Sequence, residues 1–499
     1  MVLLLFLLPV ALILIYYYIL PSSKRNGKER SSLPGPPGLP IIGNLHQFDS
    51  AKPHVFLWKL SKKYGPLMRM KLGSREVVVI SSARMAKEAL KIHDLVFSSR
   101  PSFIAQQRLS HNGLDIAFAP YGEYWREIRK ISVLHLFSLM RVKLFQLIRE
   151  DEVSRMINRI SELAFSSQLV NLSEIVMSLT CNIICRSAFG KSFDEERAGK
   201  WGCHKLLAES QAMMMGGSLI ADFLPSFGWL DKLIGNAARL ERVLKQQDSF
   251  HQQLIDQHLD PNRPKSMDGD MLDTLIRLKM EDSSSVNLTW DHIKAVLMII
   301  FVGGSDTSAA VIVWIMTALM KDPRVMNKVQ SEIREHVGKK DRIDEEDIQE
   351  LPYFKAVIKE TLRLYPPAPL LVNRETLSNC TIDGYEIKQN MLVIVNAWAI
   401  ARDPKYWKNP HEFYPERFLD TSVDYKGQDF EFIPFGAGRR MCPGMALGAA
   451  SVQLGLANLL YAFNWELPSG LKKEEIDTNV LPGLTMHKKT PLCLIAKKV

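Results

Sequence analysis

One short stretch constrains this chain more than any other: Phe435-Gly436-Ala437-Gly438-Arg439-Arg440-Met441-Cys442-Pro443-Gly444. A single cysteine sits in a glycine-rich loop, just before an apolar, alanine-rich run that reads as a helix. Glycine lets a backbone take positive φ and come close to a bulky planar group. A cysteine ahead of a helix N-terminus meets amide N–H groups and the positive end of the helix dipole, which favour an anionic thiolate. Arg440, two residues before Cys442, is placed to pair with a carboxylate of whatever binds. A lone cysteine is ordinarily a small buried apolar residue; here Phe435, the glycines, Arg440 and Cys442 fall in one register. Those are the needs of a haem held through an axial cysteine, whose electron donation favours O–O cleavage.

A second signal lies upstream. Ala295 to Met320 is apolar enough to pass for a membrane span, but its middle reads Gly303-Gly304-Ser305-Asp306-Thr307-Ser308. An acid among hydroxyls at mid-depth is costly in lipid unless it serves a site. A long helix through the centre of a globular domain explains both the apolar flanks and the polar break. On such a helix Gly303 and Gly304 leave room for a ligand, Thr307 can hydrogen-bond oxygen or water, and Asp306 can relay protons. Three weaker motifs accompany it. Glu360 and Arg363 share a helical face before Pro366-Pro367, Arg417 lies in Pro415-Glu416-Arg417-Phe418, and Trp125 and Arg129 stand one helical turn apart.

In this order along the chain, the motifs resemble those of the cytochrome P450 superfamily. The wording of Tyr425–Phe430 and Phe432–Gly444 is similar to that of plant A-type microsomal monooxygenases. The resemblance runs from the N-terminal apolar segment to about Thr485. It implies a mainly α fold with small β-sheets: a single large helical domain, with haem between the long central helix and the cysteine loop. It implies Cys442 as thiolate ligand to the iron of haem b, with Thr307 and Asp306 as the catalytic pair and Phe435 in the haem loop. Trp125, Arg129, Arg440, Arg100 and Arg374 are then expected around the haem propionates, where an arginine fork binds a carboxylate bidentately. Glu360, Arg363 and Arg417 are expected as a buried charge network supporting the loop.

The implied activity is insertion of one oxygen atom from O₂ into an apolar plant specialised metabolite, with a terpenoid placed first, then an alkaloid or phenolic. Electrons come from NADPH through a membrane-bound NADPH-cytochrome P450 reductase, expected to meet basic residues around Trp125–Lys130 and Arg439–Arg440. Rival readings are oxidative rearrangement or desaturation at the same centre, or a haem-binding protein without turnover. The pocket wall is expected from residues 103–118, 213–219, 297–303, 368–372 and 481–484, mostly apolar, with His111 and Asp115 as polar candidates and Met213-Met214-Met215 as an adaptable surface.

The remainder of the chain fits around that domain. Met1 to Leu20 is uncharged and almost wholly apolar, followed by Lys24, Arg25, Lys28 and Arg30. Residues 1–21 therefore read as an uncleaved transmembrane anchor, which places the downstream chain on the cytosolic face of the endoplasmic reticulum as a single-pass protein. Residues 22–44 read as a basic and Pro-rich linker, stiffened by Leu33-Pro34-Gly35-Pro36-Pro37-Gly38, and residues 45–499 as the haem-thiolate catalytic domain. A net charge of +9 suits an anionic membrane or an acidic partner. With no clustered basic-aromatic motif, a nucleic-acid partner is not expected. The six cysteines show no disulfide framework, and Cys181 and Cys185 read as core residues on one helix. Arg69–Ile80 reads as a hairpin turning at Gly73-Ser74; helices are expected over residues 141–163, 172–189, 240–258 and 272–280, and strands again near 381–387, 391–395 and the C-terminus.

Overall fold

The computed structural model describes residues 32–192, 203–214, 217–263, 269–281 and 286–499. The anchor expected over residues 1–21, the basic part of the linker and Met215 lie outside them.

The helices that place the site are, in chain order, α1 (Glu123–Ile131), α2 (Gln146–Phe165), α3 (Leu172–Phe189), α4 (Cys203–Met214), α5 (Asn236–Leu259), α6 (Trp290–Lys321), α7 (Pro352–Leu364) and α8 (Met445–Ala462). Helix α6 is the axis of the domain. Thr289 starts it, accepting a hydrogen bond from the His292 amide through its side chain. Its 32 residues span about 48 Å at 1.5 Å per residue. A helix that is apolar nearly all round must be covered on every side. Here α3 and α8 cover it, and Leu179, Ile312 and Leu456 share one core. Three described helices, α3, α6 and α8, are long and apolar enough to cross a membrane, yet each is mostly buried in the domain.

Nine short strands among the described residues flank the helices. β1 (Leu67–Leu72) and β2 (Arg75–Ile80) form the expected hairpin. Their sheet continues through β7 (Leu392–Val395) to β4 (Arg374–Glu375), with Val78 opposite Val393 and Arg374 opposite the same Val393 on its other side. β3 (Val170–Asn171), β9 (Cys493–Lys498) and β8 (Phe463–Glu466) form a second sheet, and β5 (Cys380–Ile382) pairs with β6 (Tyr385–Ile387).

The mainly α, small-sheet architecture is as expected, with one break inside an expected helix. The periodic stretch 141–163 is divided between a short helix, Leu139–Leu144, and α2, with Phe145 between them. The described part of the Pro-rich stretch is extended and packed down: Pro34 accepts from the Arg69 amide at 2.8 Å and Leu33 is buried. Cys181 and Cys185 lie buried on α3 with their sulfurs 4.0 Å apart, as free thiols.

Candidate active site

The cysteine loop is built before it meets any ligand. Cys442 donates its amide to the Phe435 carbonyl at 3.0 Å, which closes the loop on itself. Gly438 takes φ +69°, and a Cβ there would stand 2.2 Å from the Leu90 carbonyl, so only glycine allows this approach. Behind the loop, Arg363 forms two hydrogen bonds with Glu360, at 2.7 and 2.8 Å, and Arg417 adds a third at 3.0 Å. Spare guanidinium N–H groups of Arg363 donate to the Ala401, Pro410 and Glu412 carbonyls. Arg363 also lies over the Trp407 ring, from which Phe432, Tyr425 and Phe435 carry edge-to-face and tilted contacts to the loop.

Cys442, Phe435, Thr307, Arg100, Arg129, Arg374 and Arg440 all line one cavity between α6 and the loop. Cys442 is exposed to that cavity, although protein atoms surround the cavity on all sides of it. Burial pushes its pKa up, while the Gly444 amide and Arg129 pull it down. A coordinated metal deprotonates a thiol outright.

Four guanidiniums crowd the rim. Arg440 donates to the Ser98 and Ala119 carbonyls at 2.7 Å each and stacks on the Trp125 indole, 3.9 Å from its centroid. Arg100 donates to the Ala117, Val372 and Asn373 carbonyls, Arg374 to those of Phe97 and Ala437, and Arg129 to that of Met441. Burial, reinforced by neighbouring arginines, lowers the Arg440 pKa to about 9 and depresses that of Arg100; burial takes Arg374 to about 10. Arg440 Nη1 is buried with no protein partner. Such mutual repulsion around an open cavity is relieved by a dianionic group, and the two propionates of haem b fit that need. Trp125 is brought to the site as a platform rather than a contact, because its Nε1–H donates to the Ile116 carbonyl at 3.1 Å and the ring lies outside the cavity wall.

The pair expected to be catalytic faces two ways. Thr307 lines the cavity and donates to the Gly303 carbonyl at 2.8 Å. Asp306, only 5% exposed, lies outside the cavity wall; its Oδ1 is 2.7 Å from His487 Nε2, and its Oδ2 has no protein partner. His487 was not read from the sequence, where nothing distinguishes it in Met486-His487-Lys488. Gly303 opens to the cavity as expected, but a Cβ at Gly304 would meet Ile184 at 2.6 Å, so that glycine also serves the packing of α6 on α3.

The expected pocket segments all contribute, among them Ile116, Phe118, Met214, Ile299, Ala368, Val372 and Leu484. Ile184 and Gln211, from α3 and α4, were missed. The two polar candidates do not reach the cavity. Asp115 is wholly buried and accepts from the Ala117 and Phe118 amides, shaping the loop that receives Trp125, Arg100 and Arg440; burial raises its pKa to about 6. His111 instead lies 3.5 Å from Asp291.

The family model for Cytochrome P450 matches residues 33–495 of this chain. The chain belongs to the cytochrome P450 family. This P450 is 49% identical over 498 residues to the 5-OH-xanthotoxin synthase of Pastinaca sativa, covering 98% of this chain and 97% of that one. It is 47% identical over 465 residues to the strychnine-11-hydroxylase of Strychnos nux-vomica, covering 93% and 91%. Among solved structures, a zebrafish cytochrome P450 with abiraterone superposes with a TM-score of 0.74 at 25% identity, covering 90% of this chain and 100% of that one. This P450 is accordingly a monooxygenase of plant specialised metabolism, using haem b and, as in its family, NADPH supplied through a reductase.

Proposed function

We propose that this P450 hydroxylates an apolar, fused-ring metabolite, with phenolic and alkaloid ring systems ahead of the terpenoid placed first from sequence. The names of the plant relatives support that order, as does a cavity wall that away from the arginine cluster is rich in Ile, Leu, Val and Phe. The observation that carries the reading is the placement of Cys442, Thr307 and four arginines around one cavity. The net reaction is R–H + O₂ + NADPH + H⁺ → R–OH + NADP⁺ + H₂O.

Cys442, Arg100, Arg129, Arg374 and Arg440 would hold haem b, which when bound would supply oxygen activation. The chain's own residues manage protons and water. Thr307 Oγ1 presents a hydroxyl at the cavity surface, and its bond to Gly303 fixes the rotamer. Asp306 is the acid beside Thr307 on α6, and the partly exposed His487, 2.7 Å from its Oδ1, is the group that connects it to solvent. The reductase approaches the cysteine side. Exposed Arg126, Lys130 and Arg439 remain as contacts there, whereas Arg440 is buried in the haem site. The domain sits on the cytosolic side of the endoplasmic reticulum, held by residues 1–21.

The test is turnover by membranes carrying this P450 with a plant reductase, NADPH and heavy-isotope O₂, over a panel of coumarins, alkaloids, oximes and terpenoids read by mass spectrometry. The expected product carries one labelled oxygen atom. A product of unchanged mass, or one lighter by two hydrogens, overturns the hydroxylation in favour of rearrangement or desaturation.

A further inference from the structure

Behind the arginine cluster stands an acid that the loop geometry alone does not explain. Asp115 is wholly buried, and burial pushes its pKa up to about 6 against the pull of the Phe118, Ala117 and Ala119 amides and of Arg100. Its Oδ1 alone accepts from the Ala117 and Phe118 amides, contacts that an asparagine or serine oxygen also makes in such a turn. Its Oδ2 is buried without a partner. An unpaired carboxylate oxygen is costly to bury, so the second oxygen and its charge serve something other than the turn. The groups that feel this charge are Arg100, Arg440 and Tyr124, and the Tyr124 hydroxyl donates elsewhere, to the Leu114 carbonyl at 2.6 Å. Burial and neighbouring arginines depress both Arg100 and Arg440, and Asp115 acts against that on each of them. Asp94 does the same for Arg374 from 3.9 Å, but it is shared with the exposed Arg439 at 3.1 Å.

We infer that Asp115 is a positioning residue that balances the charge of the haem site: acting beside Arg100 and Arg440, its carboxylate lowers the reduction potential of the bound haem. The inference rests on the reading that these arginines hold the haem propionates. Reduction adds one negative charge at the iron. A fixed positive charge nearby favours that step and a fixed negative charge opposes it, and both act strongly in a buried site that salt does not screen. Four guanidiniums facing two propionates leave an excess of positive charge, and Asp115 offsets part of it without occupying the cavity. The sign follows. At pH 7 the carboxylate is ionised and holds the potential down. As pH falls through about 6 it takes up a proton, its charge is lost and the potential rises.

The experiment is an anaerobic, dye-mediated reduction titration of the haem-loaded, full-length protein without substrate, followed by its absorption spectrum between pH 5 and pH 8. Dithionite supplies the one electron that the iron takes up. Wild type is compared with Asp115→Asn and Asp115→Ser, which keep an oxygen for the Ala117 and Phe118 amides but carry no charge. At pH 7 both variants are expected at a more positive potential than wild type, and the gap should close as pH falls to 5, because only wild type has a charge to lose. Equal potentials at pH 7 in wild type and in either haem-loaded variant overturn the inference, as does a gap of the same size at pH 5 and pH 8. If neither variant takes up haem, the wild-type profile decides: a rise in potential centred near pH 6 supports the inference, and a flat profile overturns it. Failure of the two readings is distinguishable. A potential indifferent to Asp115 in a protein whose Arg440→Leu variant releases haem faster sinks this inference alone, whereas unchanged release from Arg440→Leu sinks the propionate reading.

Discussion

Four arginine side chains and one thiol set the character of the site, and each is held in a conflicted state by the protein alone. The arginines satisfy most of their N–H groups on backbone carbonyls, which fixes their positions without neutralising their charge. Removing one therefore acts in opposite directions on the two forms of the protein. Arg440→Leu should relieve repulsion in the haem-free chain but lose a charge-assisted bond to a propionate, so haem should leave about tenfold faster or more, as measured by transfer to an excess of an apo-globin acceptor. An unchanged rate would remove Arg440 from the propionate site. At Asp306 the partner matters in another way. His487→Phe leaves a buried carboxylate without its link to solvent, whereas His487→Gln keeps an N–H donor but no exchangeable imidazole proton. Both variants should lower product formed per NADPH consumed and shift the pH profile of turnover, with Gln retaining the better-folded protein. A profile identical to wild type in both would make His487 merely structural.

The residues legible from sequence are those whose partners are local or whose loop is self-contained: Cys442, Phe435 and Arg440 lie within one closed turn. Asp306 and His487 are separated by 181 positions, and Gln211 meets Val302 across 91, so no spacing rule reveals either pair. Trp125 was legible as a site residue but not as a platform, because the carbonyl that takes its N–H comes from the loop shaped by Asp115.

Among the elements, the polar break in α6 separated a buried central helix from a membrane span where hydropathy alone could not, since both are apolar all round. Helices packed against it carry their own liabilities. His251 on α5 is buried with neither ring nitrogen paired, and burial, with His111 and Lys294 adding to it, lowers its pKa to about 3. The unfolded chain takes up that proton near pH 6.5, so the neutral imidazole's contribution is present above that value and is lost as pH falls towards 3. His251→Leu should thus stabilise the fold relative to wild type by about 2 kcal/mol more at pH 5 than at pH 7, read from chemical denaturation of the soluble domain. A pH-independent difference would show that His251 is paired in solution. The break at Phe145 shows the reverse limit: periodicity continues across it, but the Leu139–Leu144 turn ends before α2 begins.

For the whole molecule, Arg126 and Lys130 on α1 stay exposed next to the loop that Arg129 joins, on the side where the reductase is proposed to dock. Charge reversal at both, Arg126→Glu with Lys130→Glu, should raise the reductase concentration needed for half-maximal turnover several-fold, and added salt should narrow the gap from wild type. A salt-insensitive wild type would contradict an electrostatic encounter. The fold class and its order of motifs were readable because a single cofactor imposes them on distant parts of the chain. Substrate choice was not, because an apolar wall assembled from many separate segments changes preference through small shape differences.

If Cys442 is the thiolate ligand of a haem in this cavity, the carbon monoxide spectrum of the reduced protein will carry its signature. Wild type should show the red-shifted thiolate band and Cys442→Ser should lose it, with the haem either released or shifted to the band of a neutral ligand. A thiolate band that persists in Cys442→Ser would contradict the ligand assignment and, with it, the site built around that loop.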